Sequence, residues 1–208
     1  MFAEKFLELC NNNPQFLSKI LFSDEVNFYL NGVVSNTHFR IWSCKNPHTI
    51  VEKSLHAPKV SVWLAFSEEF SIKPYFFDGN VDGEKYRDMI TTHLIPQLRT
   101  KRMLSNCIYQ QYGATPHTAG ETIQLLQHHF PGRLISSKSD FEWPSNSPDL
   151  NPLDYFLWGY VKQKVYITEV NEALETVPQF MLAKAINSVS MRLLLCETNN
   201  GGHFENEL

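Results

Sequence analysis

The spacing of apolar residues follows a two-residue period in the first part of this chain and then alternates between helical and strand-like segments. This order limits which folds the chain can adopt. Apolar and polar residues alternate from Ile20 to Leu30, and two further strands are predicted at 59–66 and 72–77. Helical stripes and short strands then alternate, as helix 86–98, strand 107–111, helix 117–130 and strand 134–136. Antiparallel strands followed by alternating helices and strands favour an α/β fold, with a mixed sheet flanked by helices.

The best-defined predicted helix begins near residue 151. Asn151 suits the cap position, Pro152 suits the first helical position, and an apolar stripe follows from Leu153 to Val165. Further helices are predicted at 2–9 and 178–196, and Asn31-Gly32 predicts a turn leading to a strand at 39–42. We divide the chain into an N-terminal helix and linker remnant (1–19), a core (20–166), and a C-terminal helix and tail (167–208).

Composition excludes several classes of protein. With 43% hydrophobic residues the chain can bury a substantial core, whereas its longest apolar runs fall short of the roughly 20 residues that a membrane span needs. The N-terminus lacks the layout of a signal peptide, which predicts an intracellular protein. The four cysteines are scattered, so we expect reduced thiols rather than a zinc site. A net charge of −4 argues against strong autonomous DNA binding but permits a local basic groove.

Two carboxylates are candidates for chemistry. Asp24 interrupts the apolar row of the first strand, where an ionised group needs a metal, a cation or hydrogen bonds, unless the strand end is frayed and solvated. Glu25 points to the other face and is expected to reach solvent. Asp154, at the start of its helix, can simply complement the helix dipole. Paired, however, a strand Asp and a helix-start Asp can hold the divalent ions that phosphoryl-transfer enzymes use.

Several segments together carry a family resemblance that extends from about residue 13 to residue 202. They include Phe22-Ser23-Asp24-Glu25, Arg40-Ile41-Trp42, Gly113-Ala114-Thr115-Pro116-His117 and Ser147-Pro148-Asp149-Leu150-Asn151-Pro152-Leu153-Asp154. In this order they resemble the catalytic core of the mariner and Tc superfamily of cut-and-paste DNA transposases.

The resemblance implies a ribonuclease-H-like fold that cleaves DNA and transfers strands. It also implies Mg²⁺ or Mn²⁺ held by an Asp-Asp-Asp or Asp-Asp-Glu triad, of which Asp24 matches the first member and Asp154 the third. DNA is the implied partner, bound here weakly and without sequence preference, with a possible homodimer and no membrane. The implied location is the nucleus if the chain is expressed in a eukaryote.

The sequence departs from the family at the second catalytic position. The residue before Gly113-Ala114 is an Asp in the family and is Tyr112 here. A neutral phenol is a poor ligand for a hard cation, so metal binding is expected to be weakened. The alternative is that Asp140 or Glu142 substitutes. Two further departures are expected: the family's N-terminal DNA-binding region has no counterpart before the core, and the segment between Tyr166 and Pro178 is short.

Other candidates have secondary roles. His117, in the family motif, is expected to support a metal ligand or the helix entry, with direct metal ligation as the alternative. His128 and His129 are expected at the surface. Five basic residues are candidates for phosphate contacts, or alternatively form solvated helix faces: Arg99, Lys101, Arg102, Lys162 and Lys164.

These observations lead to three hypotheses about function. The first is a degenerate transposase core, inactive because of Tyr112. The second is a noncatalytic module, derived from a transposase, that binds nucleic acid or protein. The third is an active nuclease.

Overall fold

The computed structural model describes residues 2–29, 59–165 and 176–199. Its centre is a five-stranded mixed sheet in the order β3-β2-β1-β4-β5. The strands are β1 (Ile20–Tyr29), β2 (Lys59–Phe66), β3 (Tyr75–Phe77), β4 (Ile108–Gln110) and β5 (Leu134–Ile135). β1 pairs with β2 antiparallel and with β4 parallel, which confirms the predicted mixed sheet.

Helices cover both faces of the sheet. They are α1 (Phe2–Asn12), α2 (Gly83–Met89), α3 (Ile95–Thr100), α4 (Thr115–Thr118), α5 (Gly120–His129), α6 (Trp158–Val165) and α7 (Gln179–Thr198). Two turns of π-helix, Ile90–Leu94 and Leu153–Leu157, lead directly into α3 and α6. Short 3₁₀ turns occupy Leu17–Lys19 and Pro148–Leu150.

Alternation along β1 divides the core into two clusters. Ile20, Phe22 and Phe28 pack with α1, α6 and α7 on one face. Leu21 packs on the other face with α2, α3 and α5. Because successive residues of a strand point to opposite faces, β1 also directs Asp24 and Glu25 to different sides of the sheet. No helix of the described ranges is long and apolar enough to cross a membrane.

Two predicted elements differ from those observed. The strand predicted at 72–77 is paired as a strand only at Tyr75–Phe77, since Pro74 has no N–H to donate to a ladder. The helix predicted at 117–130 is instead α4 followed by α5. The break falls at Ala119, whose ψ of 139° is extended. The predicted turn at Asn31-Gly32 and the strand at 39–42 lie outside the described residues.

Candidate active site

A cleft of about 490 Å³ opens where β1, the end of β4 and the start of the helix after residue 151 meet. Asp24, Tyr112 and Asp154 all line it, although they are far apart in sequence. Its remaining walls come from Glu25, Gly113, Ala114, Asn151 and the loop that contains Trp143, Pro144, Ser145, Asn146, Ser147 and Pro148. The fold therefore brings the three predicted positions together at one site.

Asp24 is buried in the middle of β1, with 6% of its surface exposed, so a frayed and solvated strand end is excluded. Its Oδ2 accepts a hydrogen bond of 2.8 Å from the indole N–H of Trp158. Burial raises the pKa of Asp24 well above its usual range, and the charges of Asp154 and Glu25 raise it further. The hydrogen bond from Trp158 acts in the opposite direction. This carboxyl group therefore favours a proton or a cation beside it.

Asp154 lies in the first turn of the π-helical segment that continues into α6. Asn151 caps this turn as predicted, since its Oδ1 accepts from the backbone N–H of Leu153 at 3.2 Å. Asp154 is exposed as a residue, but desolvation by the cleft raises the pKa of its carboxyl group to about 6, while hydrogen bonding with Asp24 lowers it. The two carboxyl groups thus form an acidic pair that can share one proton when no cation is present.

Tyr112 follows β4 by two residues. β4 pairs with β1 in a parallel register that matches Phe22 with Gln110, so the same register continued by two residues places Tyr112 beside Asp24. The Tyr112 ring packs edge-on against His117, with ring centroids 4.6 Å apart. Burial raises the pKa of Tyr112 above its usual value, and so do the charges of Glu25 and Asp24. The phenol is therefore neutral and supplies no anionic ligand.

The prediction that Glu25 reaches solvent is wrong. Its side chain is only 9% exposed, and its Oε1 lies 3.0 Å from His117 Nε2. His117 is itself buried and stacks on Tyr86, with ring centroids 4.0 Å apart. The residues on that side of the sheet enclose Glu25, and periodicity cannot reveal such an enclosure. His117 therefore holds a carboxylate next to the cleft, and its proposed role as a support for a metal ligand stays a prediction.

A buried polar network extends from this pair beneath the sheet. The Tyr86 hydroxyl lies 2.8 Å from that of Tyr109 and donates to Gln111 Oε1 at 2.9 Å. Gln111 in turn donates to the carbonyl of His117 at 2.9 Å. Tyr86 belongs to the apolar stripe of the helix predicted at 86–98, and such a stripe does not reveal this network, because helical spacing gives no sign of where a hydroxyl finds its partner.

The C-terminal helix contacts the segment that carries Asp154. The Arg192 guanidinium of α7 lies 3.7 Å from the Tyr155 ring centroid, and Nη1 donates to the carbonyl of Asp149 at 3.2 Å. The Tyr155 hydroxyl donates to the carbonyl of Ala185 at 2.6 Å. No motif of the sequence pointed to Arg192, which lies 38 positions after Asp154.

The basic residues predicted to contact nucleic acid have different surroundings. Lys162 is the member closest to the chemistry, because its charge lowers the pKa of Asp154. Lys164 lies over the Tyr160 ring on the same helix. Arg99, Lys101 and Arg102 are exposed at the end of α3, and Lys101 lines a different cavity from the one that contains Asp24. Of these five residues, the structure thus associates only Lys162 with the acidic pair.

The acidic pair fits a single divalent cation better than two. Asp24 and Asp154 offer carboxylate oxygens in a partly desolvated cleft, which is the donor chemistry that Mg²⁺ and Mn²⁺ prefer. Within the described ranges, no group of three His, Cys, Asp or Glu side chains is arranged to hold a metal ion. Asp140 and Glu142, the suggested substitutes, line another cavity beside Phe2 and Lys5.

The fold and the carboxylate-lined cleft define the class of this domain, a mixed α/β sheet of ribonuclease-H-like type, and structural comparison confirms it. The Mos1 transposase paired-end complex with left transposon end matches with a TM-score of 0.76 at 17% identity, over 98% of this chain and 61% of that one. The catalytic domain of Mos1 mariner transposase matches with a TM-score of 0.72 at 17% identity, over 98% and 92%.

Sequence relatives agree with the structural neighbours. The chain is 28% identical over 203 residues to the transposable element Tc3 transposase of Caenorhabditis elegans, covering 91% of this chain and 59% of the relative. It is 26% identical over 137 residues to the Tcb1 transposase of Caenorhabditis briggsae, covering 65% and 47%. No family model matches. The resemblance to the catalytic domain of mariner and Tc transposases is confirmed, and the chain spans about 59% of the Tc3 relative's length.

Proposed function

We propose that this chain is a transposase catalytic core whose metal centre is impaired because a tyrosine stands where the second carboxylate is expected. The observation that carries the proposal is the position of Tyr112 in the cleft between Asp24 and the Glu25–His117 pair. The phenol takes the space of a carboxylate without its charge. Asp24 and Asp154 remain as an acidic pair that retains a proton.

The chemistry expected of an intact centre is cleavage and joining of DNA phosphodiesters. Neighbours solved with Mg and with Mn, such as the Mos1 transposase catalytic domain with Raltegravir, support one of these ions as the metal. When bound, the ion would activate the attacking oxygen or stabilise the leaving one. Asp24 and Asp154 would hold it, and Asp154 must first lose any shared proton. A second ion would lack an anionic ligand, because Tyr112 stands where the family has an Asp.

DNA is the proposed partner, because relatives act in transposition and neighbours are complexes with transposon ends. The proposed site of action in a eukaryote is the nucleus. Lys162 and Lys164 on α6 are the proposed phosphate contacts near the cleft. With the chain's net charge of −4, we expect these contacts to give weak binding that does not depend on DNA sequence.

The test compares Mn²⁺-dependent nicking of duplex DNA by the unmodified chain, by Tyr112→Asp and by the Asp24→Ala variant of each, under identical conditions. We expect no nicking by the unmodified chain and nonspecific nicking by Tyr112→Asp, which restores the third carboxylate. Asp24→Ala in the Tyr112→Asp background is the matched control and is expected to be silent. Activity in the unmodified chain that disappears on Asp24→Ala would overturn the proposal that the centre is impaired.

Tyr112→Phe separates charge from bulk in the same assay. It keeps the ring against His117 and removes only the hydroxyl, so it should remain as silent as the unmodified chain. If Tyr112→Phe gains as much nicking as Tyr112→Asp, the missing carboxylate is not the cause of the impairment.

A further inference from the structure

The hydrogen bond between Trp158 and Asp24 links the two carboxylate-bearing elements of the cleft. Trp158 Nε1 donates to Asp24 Oδ2 at 2.8 Å across 134 positions of sequence. Both groups are buried, with 4% of Trp158 and 6% of Asp24 exposed. The indole also packs edge-on against Phe28 of β1, with centroids 6.5 Å apart, so its orientation is fixed on two sides.

The helix that contributes Trp158 also contributes Asp154. The π-helical turn Leu153–Leu157 ends where the backbone N–H of Trp158 donates to the carbonyl of Leu153, five residues earlier. Such wide turns are rare and are often found at functional sites. Asp154 and Trp158 are one turn apart and therefore approach Asp24 from the same helix. One element thus provides both a second carboxylate and a donor that orients the first.

The hydrogen bond from Trp158 makes the two carboxylate oxygens of Asp24 different from each other. The indole N–H engages Oδ2, and an N–H that donates to a carboxylate makes a shorter and stronger hydrogen bond than a neutral pair does. The indole therefore engages one oxygen and leaves Oδ1 unengaged by Trp158, while Asp24 also accepts a backbone hydrogen bond from Glu25 and shares one with Asp154. Donors that fix a metal-binding carboxylate in this way typically change metal affinity 10- to 100-fold when they are removed.

We infer that Trp158 is a positioning residue: its indole N–H holds Asp24 so that one carboxylate oxygen is presented to a divalent cation beside Asp154. The inference rests on the proposed function, since it concerns the same acidic pair. The role of the Trp158 N–H follows from its contact with Asp24.

The chain offers a matched control for removal of an indole N–H. Trp63 is fully buried on β2, and its indole interacts with the hydroxyl of Tyr109 rather than with a carboxylate of the cleft. It belongs to the hydrophobic cluster on the opposite face of the sheet from Asp24. Trp158→Phe and Trp63→Phe therefore both shrink a buried aromatic side chain, but only the first removes a donor to Asp24.

The experiment measures Mn²⁺ affinity by the electron paramagnetic resonance of free Mn²⁺, in the unmodified chain and in Tyr112→Asp. We expect Trp158→Phe to weaken Mn²⁺ binding 10- to 100-fold in Tyr112→Asp and Trp63→Phe to change it less than threefold. Thermal unfolding in EDTA checks that both variants are folded. As a spectroscopic readout, Mg²⁺ should shift the indole ¹H–¹⁵N resonance of Trp158 and leave that of Trp63 in place.

The outcomes separate the inference from the proposed function. If Tyr112→Asp binds Mn²⁺ and Trp158→Phe leaves that affinity unchanged, the positioning role is wrong and the metal site stands. If neither the unmodified chain nor Tyr112→Asp binds Mn²⁺, the proposed metal centre fails, and the positioning role fails with it. If Trp63→Phe weakens binding as much as Trp158→Phe does, loss of packing explains the effect and the role of the N–H is refuted.

Discussion

His117 Nε2 lies 3.0 Å from Glu25 Oε1, on the face of β1 opposite to the one that presents Asp24. Adjacent carboxylates of one strand therefore have different partners. Asp24 faces Asp154 and the indole of Trp158, whereas Glu25 pairs with His117 and interacts with Tyr112. Tyr112 lies next to both carboxylates' surroundings, because its ring contacts His117 and its side chain also lines the cleft that contains Asp24.

The first prediction tests how much the Glu25–His117 pair contributes to the free energy of unfolding. Glu25→Gln keeps the shape of the side chain but removes its charge, so the buried imidazole loses a charge-assisted partner. We expect unfolding in urea to show a loss of about 1–3 kcal/mol. Glu121→Gln is the control, because Glu121 pairs with Arg87 at 2.8 Å but is 77% exposed, and its loss should cost only about 0–1 kcal/mol. Equal effects of the two substitutions would contradict the structural role given to Glu25.

The second prediction concerns pH and the acidic pair in the absence of metal. The folded pKa of Asp154, about 6, lies above its unfolded value of 3.8, so the folded protein binds more protons between those values. The stabilisation from this proton is complete below the unfolded pKa and is lost as pH rises through the folded pKa. In EDTA, Asp154→Asn should therefore flatten the decrease in stability that accompanies a rise from pH 4 to pH 7.

Thermal unfolding at several pH values measures this effect. The exposure of Asp154 screens its interactions, so the expected difference is modest, no more than about 2–4 °C in Tm. The Asp24→Asn variant should show the same flattening, because the proton belongs to the pair. An unmodified protein that becomes more stable relative to Asp154→Asn as pH rises in EDTA would contradict the direction of the shift.

The third prediction concerns DNA. Gel-shift titrations with random and terminal-repeat duplexes should give similar weak affinities that fall as salt rises. Lys162→Ala should weaken binding to both duplexes and reduce the slope of log K against log salt by about 1. Lys101→Ala, at the end of α3, serves as the comparison and should have a smaller effect. Tight binding that prefers the terminal repeat would show that the core itself recognises sequence.

The fourth prediction concerns the contact between the C-terminal helix and the segment around Asp154. Arg192→Ala removes both the guanidinium over Tyr155 and a donor to the carbonyl of Asp149. We expect a loss of about 1–3 kcal/mol in urea unfolding and faster amide exchange at 149–155. Lys184→Ala, exposed on the same helix, should be within about 0.5 kcal/mol of the unmodified chain. Unchanged exchange at 149–155 in Arg192→Ala would show that α7 does not hold this segment.

Local sequence patterns predicted many elements of this fold. The period-two row of β1, the β2 strand and the stripes of the helices are set by which side chains must leave water, and they appear where periodicity indicated. The observed strand is shorter than the one predicted at 72–77, and the helix predicted at 117–130 is divided in two. At both places the backbone conformation, rather than the spacing of apolar residues, determines where the element ends. The motif segments likewise indicated which positions belong to the site, including the unusual Tyr112.

Tertiary structure decided what those positions contact. Sequence placed Asp24 in an apolar row, but only the packing of the Leu153–Leu157 turn and α6 against β1 gives it the indole of Trp158 as a donor and Asp154 as a neighbour. It assigned Glu25 to solvent because alternation distinguishes the two faces of a strand without saying what covers either. Hydrogen bonds such as Glu25–His117 join residues 92 positions apart, so they depend on the folded path of the chain. Sequence thus determined the elements and the residue types of the site, and long-range packing determined their partners.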